Sequence, residues 1–295
     1  MIIWEILKSI LYGVVEGITE WLPISSTGHL ILVEDFLPFA FTSDATLLAE
    51  FGEMFQVVIQ LGAILAVVVL FWNKLWPFST KKSAAEKRGT WRLWGRVVVA
   101  SLPAAFAGIV LDKILEIVSG KDIDGWLYNS VVVAVALIVY GVAFIVIERM
   151  NKGKIPRVDR VEDLSYKTAL CVGAFQALSI VPGTSRSGST ILGSMLLGIS
   201  RTAAAEFSFF MAIPVMVGAS GIKALGFISY ILESNVSVPL MAWVTLGIGC
   251  LVSFAVSMVA IRFLMDFVKR HSFAPFGVYR IVLGALVLIL WLVRM

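Results

Sequence analysis

Residues 168–200 read TALCVGAFQALSIVPGTSRSGSTILGSMLLGIS, and the fold turns on how often this stretch crosses a membrane. It holds a single charge, Arg186, which closely follows the helix breakers Pro182 and Gly183. Each half is about 14 residues, roughly 21 Å as a helix, against a hydrocarbon core about 30 Å thick. Two half-helices meeting inside the membrane therefore fit better than two spans. Irregular backbone at that depth is tolerated only where protein buries it or where it lines a wet cavity. The break predicts a polar cavity.

A faint copy of this stretch lies upstream, near the start of the chain. Gly13-Val14-Val15-Glu16 and Ser25-Ser26-Thr27-Gly28-His29-Leu30-Ile31-Leu32 stand opposite Gly173-Ala174-Phe175-Gln176 and Ser185-Arg186-Ser187-Gly188-Ser189-Thr190-Ile191-Leu192, all at one constant shift. Further on, Ala49-Glu50-Phe51 answers Ala205-Glu206-Phe207 at a slightly smaller shift. Residues 1–32 thus read as a second broken hairpin, interrupted at Pro23.

With 59% hydrophobic residues, 15% charged residues and a mean hydropathy of +0.93, the chain is a polytopic membrane protein rather than a soluble globule. No cleavable signal peptide is expected, since Glu5, Glu16 and Glu20 interrupt the N-terminal stretch. Cys171 and Cys250 stand alone in apolar runs and imply neither disulfide nor thiolate metal site. Uncharged apolar runs at 55–72, 97–111, 126–147, 207–222, 236–261 and 281–293 give six spans, the short ones extended by Arg96, Lys223 and Arg280 snorkelling at their ends. Most of the tryptophans flank spans and read as interfacial anchors.

Sixteen of the 24 basic residues fall in 73–96, 148–167 and 262–277, which marks these as cytoplasmic loops, while 112–125 and 223–235 fall outside. That distribution accounts for the net charge of +4 without nucleic acid. The expected fold is all-α: six spans plus two re-entrant broken-helix hairpins, in one membrane domain over 1–295. Repeat one covers about 1–150 and repeat two about 165–295. An odd number of spans per repeat inverts the second copy. The first hairpin then enters from outside and the second from the cytoplasm, with both termini outside.

Glu16 and Glu20 share one helical face, where two carboxylates can bind a divalent cation, act as general base or share a proton. Ser25, Ser26, Thr27, Gly28 and His29 follow, offering hydroxyls, an imidazole and the free N–H groups of a restarting helix. In the second copy Ser185, Ser187 and Thr190 surround Arg186, whose planar guanidinium suits phosphate. Together these groups assemble phosphoryl transfer to water, with one of the hydroxyls as nucleophile beside His29 or a glutamate as acid or base, or with an activated water and no phosphoserine. A carrier of lipid phosphates or small anions is the rival, because inverted repeats with broken helices also build transporters.

Glu16-x-x-x-Glu20, Pro23-x-Ser25-Ser26-Thr27-Gly28-His29 and Pro182-Gly183-x-Ser185-Arg186-Ser187-x-x-Thr190 resemble the paired signature of the bacterial undecaprenyl pyrophosphate phosphatases of the bacitracin-resistance type. The similarity extends to Val57-Val58-Ile59-Gln60-Leu61-Gly62 and Ala205-Glu206-Phe207-Ser208-Phe209, with Gln56 a departure where the family commonly has Glu. The resemblance implies removal of the terminal phosphate of a C55 polyprenyl diphosphate to regenerate the carrier of cell-wall synthesis. It also implies Mg²⁺ or Ca²⁺, which Glu16 and Glu20 would hold, and a multi-pass protein of the bacterial cytoplasmic membrane with its site open to the outer face. Its serine matching Ser26 is the favoured nucleophile, supported by Glu16, Glu20, His29 and Arg186. The remaining partners are membrane lipids, and a homodimer is compatible with the reading.

Overall fold

The computed structural model describes residues 2–120, 126–127 and 129–294. The first broken hairpin is α1 (Ile2–Thr19) and α2 (Ser26–Phe36), separated at 20–25 around Pro23. α3 (Ala45–Leu70) starts on Asp44, whose side chain accepts the Leu47 N–H, and the single turn α4 (Trp72–Leu75) follows. α5 (Ala84–Ser119) opens on a reciprocal cap between Ser83 and Glu86 and stops at Gly120 in the left-handed region. α6 (Ser130–Asn151) starts on Asn129. The second broken hairpin is α7 (Tyr166–Ala177), a 3₁₀ turn at Leu178–Ile180, a break at 181–185 and α8 (Arg186–Leu196). α9 (Arg201–Ser234), α10 (Leu240–Arg270) and α11 (Ala274–Arg294) complete the chain.

Six of these helices, α3, α5, α6, α9, α10 and α11, are long and apolar enough to cross a membrane, and each contains or overlaps one expected span. Helix bounds and apolar windows differ because side-chain caps open four of these helices, on Asp44, Ser83, Asn129 and Ser200. α5 begins at Ala84, well before the apolar run that opens at Val97, and its first turns carry the exposed Arg88 and Arg92. Part of the expected outer loop 112–125 is therefore helix as far as Ser119, and residues 121–125 lie outside the described residues. Large apolar side chains such as Phe106, Ile109 and Ile222 are at least 70% exposed on the outer surface, which suits lipid and not water.

Lipid tails are as apolar as leucine, so helices in a membrane associate through close packing at small residues rather than through water exclusion. α1 lies along α10, where a Cβ on Gly13 would come within 2.8 Å of the Gly249 carbonyl oxygen. α7 lies along α5, where a Cβ on Gly173, the repeat counterpart of Gly13, would come within 2.1 Å of the Ala100 carbonyl oxygen. α3 packs on α9 and α6 on α11. The largest buried cluster includes Trp21, Phe207, Phe209 and Phe210, and a second gathers Tyr12, Phe39, Phe51 and Phe55.

Candidate active site

Each break ends in the same local device. Ser25 and Ser185 sit at φ 75° and 73°, and each side chain accepts an N–H from the first turn that follows, from Gly28 at 3.4 Å and from Gly188 at 3.1 Å. A non-glycine residue held at positive φ costs about 1–3 kcal/mol and persists where the surroundings over-determine it. The first turns of α2 and α8 begin directly after these serines, with N–H groups that have no intrahelical acceptor. Gly183 shapes the second break: it has φ 86°, and a Cβ there would sit 2.5 Å from the Val133 carbonyl oxygen.

The two breaks meet at Glu20. The Ser26 hydroxyl donates to Glu20 Oε2 at 2.6 Å, and Arg186 Nη2 reaches Glu20 Oε1 at 3.1 Å. The Ser187 hydroxyl donates to the Glu20 carbonyl oxygen at 3.2 Å and lies 3.1 Å from the Ser185 hydroxyl. Arg186 Nη1 donates to the Ser208 carbonyl at 2.6 Å and contacts its hydroxyl at 3.2 Å, while Ser208 and Thr190 hydroxyls are 2.6 Å apart. Thr190 also donates back to the Arg186 carbonyl at 3.0 Å. The expected groups from the two distant halves of the chain are thus one hydrogen-bonded cluster, with Ser26, Glu20 and Arg186 all at 10% exposure or less.

His29 stands to one side. Nδ1 lies 2.7 Å from the Ser25 carbonyl, which can only accept, so the proton sits on Nδ1. In the neutral ring Nε2 then accepts from the Tyr279 hydroxyl at 2.7 Å. Both ring nitrogens are engaged, and among the described residues neither hydrogen-bonds to Ser26. Thr27 is half-buried and makes no side-chain hydrogen bond among the described residues, and buried Gly28 carries the N–H that caps onto Ser25.

Glu16 is fully buried, and neither carboxylate oxygen has a donor from the described residues. Gln176, its repeat counterpart, is equally buried with both amide atoms unpartnered among the described residues. No cluster of three or more His, Cys, Asp or Glu converges among the described residues. Two carboxylates nonetheless match the hard oxygen set of a Mg²⁺ site, in which substrate phosphates complete the coordination. An orphaned buried carboxylate is costly unless a cation or proton satisfies it, so the residues fit a divalent ion.

Four participants were given no role in the site by the sequence reading. Ser208 ties Arg186 to Thr190, and Trp21, fully buried, lies with its ring centroid 5.9 Å from the Arg186 guanidinium carbon. Trp21 is therefore no interfacial anchor, because the buried Phe209 ring meets it edge-on within the interior. Tyr279 holds His29, and Arg280 is fully buried, so it does not snorkel: its guanidinium donates to three backbone carbonyls of the breaks. The available signal was an arginine bordering an otherwise apolar run. Beside the second break, an apolar groove of about 450 Å³ is lined by Val131, Val135, Val139, Tyr140, Val181 and Thr184.

Similarity to known proteins extends over the whole chain. A protein named undecaprenyl-diphosphatase from Streptococcus gordonii is 53% identical over 290 residues, 98% of this chain and 97% of that protein. Proteins of the same name from Acetivibrio thermocellus and Enterococcus faecalis are 51% identical over 288 residues and 49% identical over 294 residues. Each of these two alignments covers at least 98% of both chains. The family model described as bacitracin resistance protein BacA matches residues 9–286, which take in both breaks and reach all six long helices, and the chain belongs to that family.

Proposed function

We infer that this membrane protein is a phosphatase that removes the terminal phosphate of undecaprenyl diphosphate, leaving the monophosphate carrier. The observation that carries the catalytic assignment is the chain Ser26–Glu20–Arg186: a hydroxyl held 2.6 Å from a carboxylate whose other oxygen meets a guanidinium. Ser26 Oγ attacks the terminal phosphorus as Glu20 takes its proton, and the bond from that phosphorus to the bridging oxygen breaks. Water then attacks the phosphoserine phosphorus, the bond from phosphorus to Ser26 Oγ breaks, Glu20 returns the proton to Oγ and inorganic phosphate leaves. This geometry favours Glu20 over His29 as base, and leaves His29 to orient the start of α2 through Ser25.

Arg186 exchanges its bond to Glu20 for the diphosphate, where its fork stabilises the equatorial oxygens as they gain charge. Ser208 and Thr190 fix the direction from which the guanidinium approaches. Glu16 and Glu20 would hold a divalent ion, Mg²⁺ or Ca²⁺, which supplies further neutralisation of the diphosphate. The first isoprene units fit the apolar groove beside Val181 and Thr184, and the rest of the chain lies in lipid.

The matched caps at Ser25 and Ser185 and the matched glycine contacts at Gly13 and Gly173 support two repeats of inverted topology. The basic loops support a cytoplasmic placement of 73–96 and 148–167 in a bacterial cytoplasmic membrane, with the site open to the outer face. A phosphatase works in detergent, whereas a carrier needs sealed vesicles. Phosphate release by detergent-purified protein from undecaprenyl diphosphate is the expected result, and transport in vesicles without release in detergent would replace the hydrolytic reading.

A further inference from the structure

α11 reaches the site on two consecutive residues. The Tyr279 hydroxyl lies 2.7 Å from His29 Nε2. Arg280, with no exposed surface, donates from Nη1 to the Pro23 carbonyl at 3.0 Å and from Nη2 to the Gly183 and Thr184 carbonyls at 2.7 and 2.8 Å. Pro23 belongs to the first break, and Gly183 and Thr184 to the second. One guanidinium therefore spans two segments that no backbone hydrogen bond joins among the described residues.

The surroundings are shaped for that fork. A Cβ on Gly188 would approach Arg280 Nη1 to 3.2 Å, so the glycine leaves room for it. The Tyr140 ring, which also lines the apolar groove, has its centroid 5.6 Å from the guanidinium carbon. No carboxylate pairs with Arg280 among the described residues. If packing were all that this position supplied, an apolar side chain of like volume would serve at lower desolvation cost. A rigid planar donor set adds a fixed distance between carbonyls on either side, which a flexible ammonium cannot impose.

We propose that Arg280 is a positioning residue, a clasp that sets the separation of the two breaks and with it the approach of Ser26 and Glu20 to Arg186. Pro23 stands shortly before Ser26 and Thr184 shortly before Arg186, so a shift at the clasp is delivered to the reacting groups over a few bonds. A misplacement on the order of 1 Å at such a site costs about a hundredfold in rate. The kinetic part of the idea rests on the phosphatase reading, and the structural part does not.

The test is hydrogen exchange by mass spectrometry on the full chain in detergent, read beside phosphate release from undecaprenyl diphosphate. For Arg280→Lys, exchange should rise about tenfold or more in peptides covering 20–28 and 181–189 together, with α5 and α10 unchanged. kcat should fall about tenfold to a hundredfold, with KM within about twofold. Tyr279→Phe should leave exchange at 181–189 at the wild-type level. Gly188→Ala, which presses on the same guanidinium, should move both peptides in the same direction to a smaller degree and decides the matter if Arg280→Lys does not fold. Wild-type exchange at both breaks, a rise at one only, or an equal rise across the spans would each overturn the clasp. Absence of phosphate release by the wild-type protein, with the paired exchange response intact, would remove the phosphatase reading and leave the clasp standing.

Discussion

Ser25, Ser26 and Thr27 carry adjacent hydroxyls, yet only Ser26 is held on a carboxylate. Ser26→Ala should lower turnover by about 10³-fold, against about tenfold for Ser25→Ala or Thr27→Ala, the difference between removing an activated nucleophile and removing one hydrogen bond. Steady-state phosphate release by the three purified variants checks this, and equal modest losses would point to an activated water. Arg186→Lys should cost about tenfold or more despite keeping the charge, because an ammonium lacks the fork that meets both Glu20 and Ser208. Chelation by excess EDTA should abolish release and Mg²⁺ or Ca²⁺ should restore it, with Glu20→Gln raising the metal requirement; full activity in EDTA would leave an arginine-only site. Glu20, Ser26 and Arg186 were legible as site candidates because each lies in or next to a polar cluster beside a helix breaker, within an otherwise apolar segment. Ser208 and Tyr279 were not, since an isolated hydroxyl in an apolar helix gives no sign of which distant residue it will meet.

Helix ends depended on side chains that hydropathy does not register. The apolar window at 97–111 located α5, but the Ser83–Glu86 cap and Gly120 decided that it runs from Ala84 to Ser119. The close helix contacts at Gly13, Gly62 and Gly173 were not legible, since glycine in a membrane helix is common and its partner is not written beside it. Gly173→Ala should destabilise the detergent-solubilised protein by about 1–3 kcal/mol, because the new methyl group meets the Ala100 carbonyl and α7 must move away from α5. Gly218→Ala has no atom within 4 Å of the new carbon and should be neutral or stabilising by up to about 1 kcal/mol through helix propensity. Thermal unfolding of the two variants in the same detergent compares them directly, and equal behaviour would refute the tight α5–α7 contact.

For the whole molecule, orientation is the property that sequence charge addresses and that helix packing leaves open. Lys154→Cys and Glu233→Cys, each in a background lacking Cys171 and Cys250, should separate the two faces: an impermeant thiol reagent applied to intact cells should label position 233 and spare 154. Labelling at 154 would reverse the orientation and turn the site toward the cytoplasm. The pairing of α1 with α10 has a further bearing, on biogenesis. Tyr12 meets Phe55 of α3 early, but Gly13 and Gly17 seat against the backbone of Gly249 and Ser253, and Pro23 is held by Arg280, so the close-packed face of α1 and the clasped break are completed only after nearly all of the chain has been synthesised. Until then the first break has Arg186 and Ser187 as partners but lacks the bed of α10 and the Arg280 clasp, so the final docking of the two halves waits on the C-terminal helices. A ribosome-bound chain stopped after α9 should therefore leave 20–28 open to protease, and the same segment should become resistant only once α10 and α11 have emerged.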